Sequence, residues 1–157
     1  MKTFVVLSDS HGRRGVAEKL APLFAENDVI VHLGDGSSDL REVFSQYPEK
    51  TYLFCGNCDF AYGAEEGVLE AEQVRIFCCH GHKYGVKSGL ERLAARAAEL
   101  DCDVALYGHT HKAGSERVNG VLCINPGSAG AYADPSYCYL VVHRGKVTET
   151  VVPLSLE

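Results

Sequence analysis

The side chains best suited to chemistry in this sequence are Asp, His and Asn residues that stand beside glycine in five short segments. Their oxygen and imidazole donors are typical ligands of divalent metals such as Mn, Fe, Co, Ni and Zn. One such segment alone is more typical of a helix cap or a turn. Four of the chain's seven histidines, His11, His80, His109 and His111, nevertheless supply donors in these segments. The segments are Asp9-Ser10-His11, Gly34-Asp35-Gly36, Gly56-Asn57-Cys58-Asp59, His80-Gly81-His82 and Gly108-His109-Thr110-His111.

The number of donors predicts two metal ions rather than one. The set exceeds what a single ion needs, unless a carboxylate bridges two ions; its members are Asp9, His11, Asp35, Asn57, His80, His109 and His111. In Asp9-x-His11 and His109-x-His111, a one-residue gap in an extended segment would turn both side chains to the same side. Glycines beside Asp35, Asn57, His80 and His109 would permit tight turns and close backbone approach.

Each of the five segments follows a predicted β-strand. Runs of β-forming residues predict strands over 4–7, 29–33, 51–55, 73–79 and 103–107. Helical spacing predicts helices over 16–24, 39–44 and 88–100. Alternating strands and helices indicate parallel βαβ units. The segments would then gather along the carboxyl edge of a sheet, where α/β proteins usually bind ligands.

Two parts of the chain depart from this alternation. Residues 67–71 and 73–79 are joined too tightly for a crossover helix and predict a β-hairpin. In the tail, Asn119-Gly120 and Arg144-Gly145 are turn signals between apolar runs. They predict an antiparallel meander of three or four strands. Without repeats or linkers, residues 1–157 are expected to form a single α/β domain.

Composition excludes several classes of protein. With 46% hydrophobic and 23% charged residues, the chain is an ordinary globular sequence rather than a fibrous or disordered one. Its net charge of -6 argues against long nucleic acid as a partner, and its apolar runs are too short to cross a bilayer. The start lacks the apolar stretch of a signal peptide, and seven cysteines suggest reduced thiols. We therefore expect a cytoplasmic protein that does not bind membranes.

Several residues have a second interpretation. Cys55-Gly56-Asn57-Cys58 is formally a C-x-x-C redox or zinc motif, but Cys55 falls within a predicted buried strand. His82 is a candidate substrate contact, and a surface hydrogen bond is an equal alternative. Residues more simply explained as structural are His32, His143 and the cysteines Cys78, Cys79, Cys102, Cys123 and Cys138.

The order Asp-x-His, Gly-Asp, Gly-Asn, His and Gly-His-x-His resembles the calcineurin-like metallophosphoesterase superfamily. The short length, the hairpin before His80 and the Gly-Asn-Cys-Asp form are most similar to its compact YfcE-like phosphodiesterases. The resemblance spans Asp9 to Asn125-Pro126-Gly127-Ser128. It implies a four-layer α/β/β/α sandwich of two mixed sheets flanked by helices, which the strand pattern alone does not distinguish from one open sheet.

The resemblance also implies roles for the donors. Asp9, His11 and His111 would hold one metal, Asn57, His80 and His109 the other, and Asp35 would bridge them. Manganese is the expected metal, with Fe, Ni, Co or Zn as alternatives. The implied activity is hydrolysis of small phosphate diesters by a metal-bridging hydroxide, with Asn57, Cys58 and His80 as the catalytic candidates. Many relatives have His where this chain has Cys58, so Asp59, which would orient that His, is expected to lack a partner.

Other functions remain open at this point. Relatives of this fold include non-catalytic scaffold subunits that bind a protein partner, although such members commonly lose ligand residues. A nuclease acting on long DNA or RNA would need a basic groove or a capping domain. The only candidate cap is the stretch 60–66 with the hairpin after it, so specificity is expected to be broad. Whether the protein is a homo-oligomer is left undecided.

Overall fold

A computed structural model describes residues 1–13, 15–59 and 63–156, which form two five-stranded sheets and three α-helices. The helices are α1 (Gly15–Glu26), α2 (Arg41–Gln46) and α3 (Glu91–Glu99). The strands are β1 (Lys2–Leu7), β2 (Val29–His32), β3 (Thr51–Leu53), β4 (Glu66–Ala71), β5 (Val74–Cys79), β6 (Val104–Leu106), β7 (Gly114–Val118), β8 (Val121–Asn125), β9 (Ser136–His143) and β10 (Lys146–Pro153).

Both sheets are mixed. The first has the strand order β10-β9-β1-β2-β3, in which β1, β2 and β3 are parallel and β9 and β10 antiparallel. The second has the order β4-β5-β6-β8-β7, with a parallel centre of β5, β6 and β8. Since the parallel strands of each sheet end at one edge, the loops that follow them share that edge.

Apolar side chains bind the layers together in three clusters. One cluster joins the two sheets, with Val6 and Val31 from the first and Ile76 and Leu106 from the second. Helix α1 covers the outer face of the first sheet, and α3 covers the outer face of the second. The implied α/β/β/α sandwich is therefore confirmed. Within the described ranges, no helix is long and apolar enough to cross a membrane.

The predicted tail meander is wrong. The turns at Asn119-Gly120 and Arg144-Gly145 do form, with positive φ at each of these residues, and each closes a hairpin. The β7–β8 hairpin, however, joins the second sheet through parallel pairing of β8 with β6, whereas β9–β10 joins the first through β1. Turn chemistry is local, but the sheet that a hairpin joins depends on long-range packing.

The predicted elements around the site differ at their ends. The helix expected over 39–44 is a 3-10 turn, Ser37–Leu40, followed by α2. Helix α3 begins three residues later than expected, after Gly89 at φ 146°. Strand β3 ends at Leu53, so the half-buried Cys55 lies beyond it and its predicted place inside a buried strand is wrong. Of the expected cap, residues 60–62 lie outside the described residues.

Candidate metal centre

Five loops at the carboxyl ends of β1, β2, β3, β5 and β6 bring the seven predicted donors together. Backbone hydrogen bonds tie neighbouring loops to each other. The Asp9 N–H donates to the Gly34 carbonyl at 2.9 Å, and the His11 N–H donates to the Asp35 carbonyl at 3.0 Å. The Gly108 N–H donates to the His80 carbonyl at 2.9 Å. These bonds join the loop after β1 to the loop after β2 and the loop after β5 to the loop after β6. The Cys58 N–H, which donates to Asp35 Oδ1, adds the loop after β3, and the His109 N–H, which donates to Asp9 Oδ2, links the two sheets.

Asp9, His11 and His111 form the first cluster of donors, with their ligand atoms within 4.8 Å of one another. Asp9 Oδ1 lies 3.1 Å from His111 Nε2 and 3.5 Å from His11 Nε2. The two imidazole nitrogens are 3.3 Å apart. The other oxygen of Asp9 accepts hydrogen bonds from the Ser8 hydroxyl and the His109 N–H. This carboxylate is therefore held on one side and points its free oxygen at the two histidines.

The second cluster contains Asp35, His80 and His109, whose ligand atoms also lie within 4.8 Å of one another. His80 Nε2 lies 3.3 Å from Asp35 Oδ2 and 3.2 Å from His109 Nδ1. It is also 3.9 Å from Asp9 Oδ1, which belongs to the first cluster. The two clusters are thus adjacent.

The ligand atoms around the His80 ring fit a cation in the second cluster. The Asn57 side-chain amide reaches Asp35 Oδ2 and His80 Nε2, to each of which its NH2 donates at 3.1 Å. His80 Nδ1 is 2.9 Å from the Leu33 carbonyl, so it carries the proton and leaves a lone pair on Nε2. A divalent ion would stabilise these converging lone pairs. The donor set fits such an ion without any thiolate.

Asp35 is the acid best placed to remain ionised between the clusters. Burial acts to raise its pKa, but the hydrogen bond from the Cys58 N–H is the first of the causes that outweigh burial, so the pKa lies below its usual value. The Cys58 N–H donates to Asp35 Oδ1 at 2.8 Å. Asp35 Oδ2, the oxygen that does not accept this bond, faces His80 Nε2.

The extended geometry predicted for the two x-spaced pairs is wrong. Asp9, His11, His109 and His111 have φ of 55°, 47°, 70° and 63°, and Asp35 has φ of 56°. These values lie in the left-handed region, which Asp and His enter more readily than most residues. The paired side chains meet because each loop curls around the site. Sequence spacing could not distinguish this curl from an extended strand.

Two glycines permit the close packing of these loops. A Cβ at Gly56 would collide with the Asp35 carboxylate, and one at Gly108 would collide with the Ser8 hydroxyl and crowd Asp9. The predicted role of the neighbouring glycines in close backbone approach thus has a specific steric cause at both positions.

Asp59 was expected to lack a partner, and this expectation is wrong. Its buried carboxylate accepts hydrogen bonds from the N–H groups of Asp35 at 2.6 Å, Gly36 at 2.7 Å and Gly56 at 2.7 Å. It therefore fastens the loop after β2 to the loop after β3. Because all three partners are backbone groups, no side-chain pattern in the sequence could have revealed them.

His32 has no place among the donors, but it supports the loop of Asp9 and His11. Its Nδ1 accepts from the Gly34 N–H at 3.0 Å, so Nε2 donates to the Ser10 hydroxyl at 2.8 Å. Ser10 in turn donates to Asp39 Oδ2 at 2.6 Å. Burial is the main cause that lowers the pKa of His32 to about 4, against the opposing charges of Asp59, Asp9 and Asp39. The ring is therefore neutral at physiological pH.

Cys58 and His82 border the clusters. Cys58 is exposed, and its sulfur lies within 4.8 Å of ligand atoms of His11 and Asp35. Burial and the charge of Asp35 raise the pKa of this thiol, so it is protonated at neutral pH. The His82 ring centre lies 5.4 Å from that of His80. Its buried Nδ1 has no hydrogen-bond partner within the described part of the chain.

The remaining cysteines, His143 and Arg13, which lies close to the first ligand pair, make local contacts. Cys78, Cys79, Cys102, Cys123 and Cys138 are buried free thiols, as expected for core residues. His143 is exposed and lies 3.3 Å from Glu72, away from the donors. Arg13 donates to the Ala131 carbonyl at 2.9 Å and lies over the Tyr132 ring. It therefore braces a neighbouring loop.

Comparisons with known proteins agree with this arrangement. The sequence model of the calcineurin-like phosphoesterase superfamily domain matches residues 1–146. A probable metallophosphoesterase, YsnB of Bacillus subtilis, is 40% identical over 126 residues, covering 79% of this chain and 73% of that protein. The phosphodiesterase YfcE of Escherichia coli is 28% identical over 153 residues, covering 82% and 79%.

Among solved structures, Vps29 of Chaetomium thermophilum has the same fold, with a TM-score of 0.77 at 20% identity over 98% of this chain and 95% of that one. The chain belongs to the calcineurin-like phosphoesterase superfamily. The family resemblance and the class of metallophosphoesterase hydrolase predicted from the motifs are therefore confirmed.

Asp59→Asn tests whether Asp59 holds the two loops together. An amide would turn its NH2 toward at least one backbone N–H, so we expect the free energy of unfolding to fall by about 2 kcal/mol. Manganese affinity should fall by roughly tenfold or more because the ligand loops lose a support. Urea unfolding and metal titration measure the two effects. Asp101→Asn, at an exposed turn, is the control, and equal behaviour of the two variants would refute this role.

The buried His32 predicts a pH dependence of stability. Its folded pKa of about 4 lies below the ordinary histidine value of 6.5. The unfolded chain therefore takes up the proton first, and stability falls as the pH decreases from 6.5 to 4. The loss at this site is about 3 kcal/mol for a shift of this size. Urea unfolding of chelator-treated protein across this range should show a shallower pH dependence for His32→Asn than for the exposed control His143→Asn. Equal slopes would contradict the assignment.

Proposed function

We propose that this protein is a metal-dependent phosphodiesterase that hydrolyses small phosphate diesters at a dinuclear centre. The observation that carries the proposal is the pair of adjacent donor clusters, one around Asp9 and one around His80, with Asp35 ionised beside them. Two bound divalent ions would supply Lewis acidity and a hydroxide nucleophile at neutral pH. We propose that residues 1–157 form the single domain that carries this site.

The proposed ligand assignment follows the two clusters. Asp9, His11 and His111 would hold one ion. Asn57, His80 and His109 would hold the other, and Asp35 would be shared between them. The oxygen and imidazole donors favour manganese, with Fe, Ni, Co or Zn as alternatives. A reducing cytoplasm fits the buried free thiols.

Cys58 and His82 border the metal ligands and would act on the substrate directly. A protonated thiol next to Asp35 can donate a hydrogen bond, but it transfers a proton poorly to an alkoxide leaving group at neutral pH. This favours diesters and good leaving groups over alkyl monoesters. The partly exposed ring of His82 would contact a phosphate oxygen or an ester group.

Hydrolysis of bis(p-nitrophenyl) phosphate tests the proposed function. Chelator-treated protein should be inactive and should regain activity on titration with manganese. Asp35→Asn removes the charge between the clusters and should lower kcat by at least about 100-fold while the protein remains folded by circular dichroism. His143→Asn serves as the control, since His143 lies away from the donors.

If the protein binds metal but hydrolyses no diester with any of these ions, the proposed phosphodiesterase activity is refuted. That outcome would favour the alternative of a non-catalytic scaffold of the same fold that binds a protein partner.

Cys58→His tests the proposed preference for diesters. An imidazole at this position can protonate a leaving group, so we expect the ratio of monoesterase to diesterase activity to rise by roughly tenfold or more. The ratio is measured with p-nitrophenyl phosphate and bis(p-nitrophenyl) phosphate at equal manganese. Cys55→Ser, at the other cysteine of the C-x-x-C segment, is the matched control. An unchanged ratio in Cys58→His would overturn the role of this position.

A further inference from the structure

A groove of about 780 Å³ lies beside the metal centre, between residues 86–91 and strand β7. Its size is that of a site for a small molecule. Buried or half-buried apolar side chains line it, among them Val86, Leu90, Tyr107 and Val118. The groove could therefore hold an organic group rather than water alone.

The groove is continuous with the loops that carry the donors. Thr110, which stands between His109 and His111, lines it. The Thr110 hydroxyl is fixed by Asn125 Nδ2 at 3.0 Å. On the opposite wall, a methyl of Val86 would lie 3.0 Å from a Cβ at Gly81, the residue between His80 and His82. A molecule bound at the donors could thus extend directly into the groove.

Two lysines stand at the end of the groove nearest the donors. Lys112 follows His111 in the chain, and both Lys112 and Lys87 line the groove. Lys87 follows Val86, whose methyl groups lie against Gly81 between His80 and His82. Across the described ranges, neither lysine forms a salt bridge. Both ammonium groups are therefore available to an anion.

The two acids of the groove are placed differently. The Glu91 carboxylate folds back over Gly89 at the start of α3, where a helix terminus favours negative charge. In the β7–β8 hairpin, Gly114 pairs with Asn125 at the edge that carries the site. Glu116 pairs with Cys123, two residues farther along β7 from that edge. At ~3.4 Å per residue, this places Glu116 about 7 Å down the strand from Gly114. Lys112, which follows His111, is therefore closer along the chain to the donors than Glu116 is.

We propose that this groove binds the ester arm that is retained when the other ester bond of a diester is cleaved, and that Lys87 and Lys112 select arms carrying a second anionic group. The inference rests on the proposed function and specifies its substrate class: a phosphodiester with an additional phosphate or carboxylate on a short arm. The apolar floor packs against the carbon atoms of the arm, and the lysines neutralise its charge.

Three matched p-nitrophenyl diesters test the selection. Their four-carbon arms end in a phosphate, a methyl group or a trimethylammonium group. With manganese, the wild-type protein should show a kcat/KM at least about fivefold higher for the phosphate-ended arm than for the neutral one, and lowest for the cationic one. The double variant Lys87→Gln with Lys112→Gln should lose this preference. Its kcat/KM for the diester with the methyl-ended arm should stay within about twofold of the wild-type value. Lys146→Gln, on the other sheet, is the control.

Calorimetric titration provides a readout that does not depend on turnover. Butane-1,4-diol bisphosphate should bind the manganese-loaded protein at least about fivefold more tightly than butyl phosphate, and the double variant should abolish the difference. Hydrolysis of all three diesters at similar rates, with no effect of the lysines, would overturn the groove assignment and leave the proposed function intact. If no diester is hydrolysed, the proposed function fails, and lysine-dependent binding of the bisphosphate would still support the groove as an anion site, whereas equal binding would overturn it.

Discussion

Lone pairs that point at one another repel, and the strand-end loops of this protein hold several of them within a few ångströms. His109 Nδ1 and Asp35 Oδ2 lie 3.2 and 3.3 Å from His80 Nε2. The fold stabilises this arrangement with donors on the outer side of each group, such as the Cys58 N–H on Asp35 and the Ser8 hydroxyl on Asp9. The inner side is left electron-rich, which is the requirement of a cation site.

The loops themselves are held in unfavourable backbone geometry. Five donor residues have left-handed φ, a conformation that persists only where surrounding contacts determine it. Those contacts come from buried polar groups behind the site. Asp59 fastens the loops after β2 and β3, the His32–Ser10–Asp39 chain fastens the loop after β1, and the Ser128 hydroxyl donates to the Asp9 carbonyl at 2.8 Å. The side chains that would bind metal are thus distinct from the buried polar groups that hold their loops in place.

Local signals in the sequence predicted the strand ends and the residues that follow them, because Asp9, Asp35 and His80 each come after a short apolar run. Three features of the structure could not be predicted from such local signals. The sheet joined by the β9–β10 hairpin depends on distant pairing with β1. The left-handed turns at His11 and His109 depend on tertiary contacts. The partners of Asp59 are backbone groups of other loops, which leave no trace in side-chain patterns.

The most direct test of the central claim is anomalous diffraction from crystals grown with manganese. The donor geometry predicts two anomalous peaks per chain, about 3.5 to 4 Å apart as in other two-metal sites. One peak should lie among Asp9, His11 and His111, the other among Asn57, His80 and His109, and Asp35 should contact both. A single peak, or peaks outside these residues, would contradict a dinuclear centre.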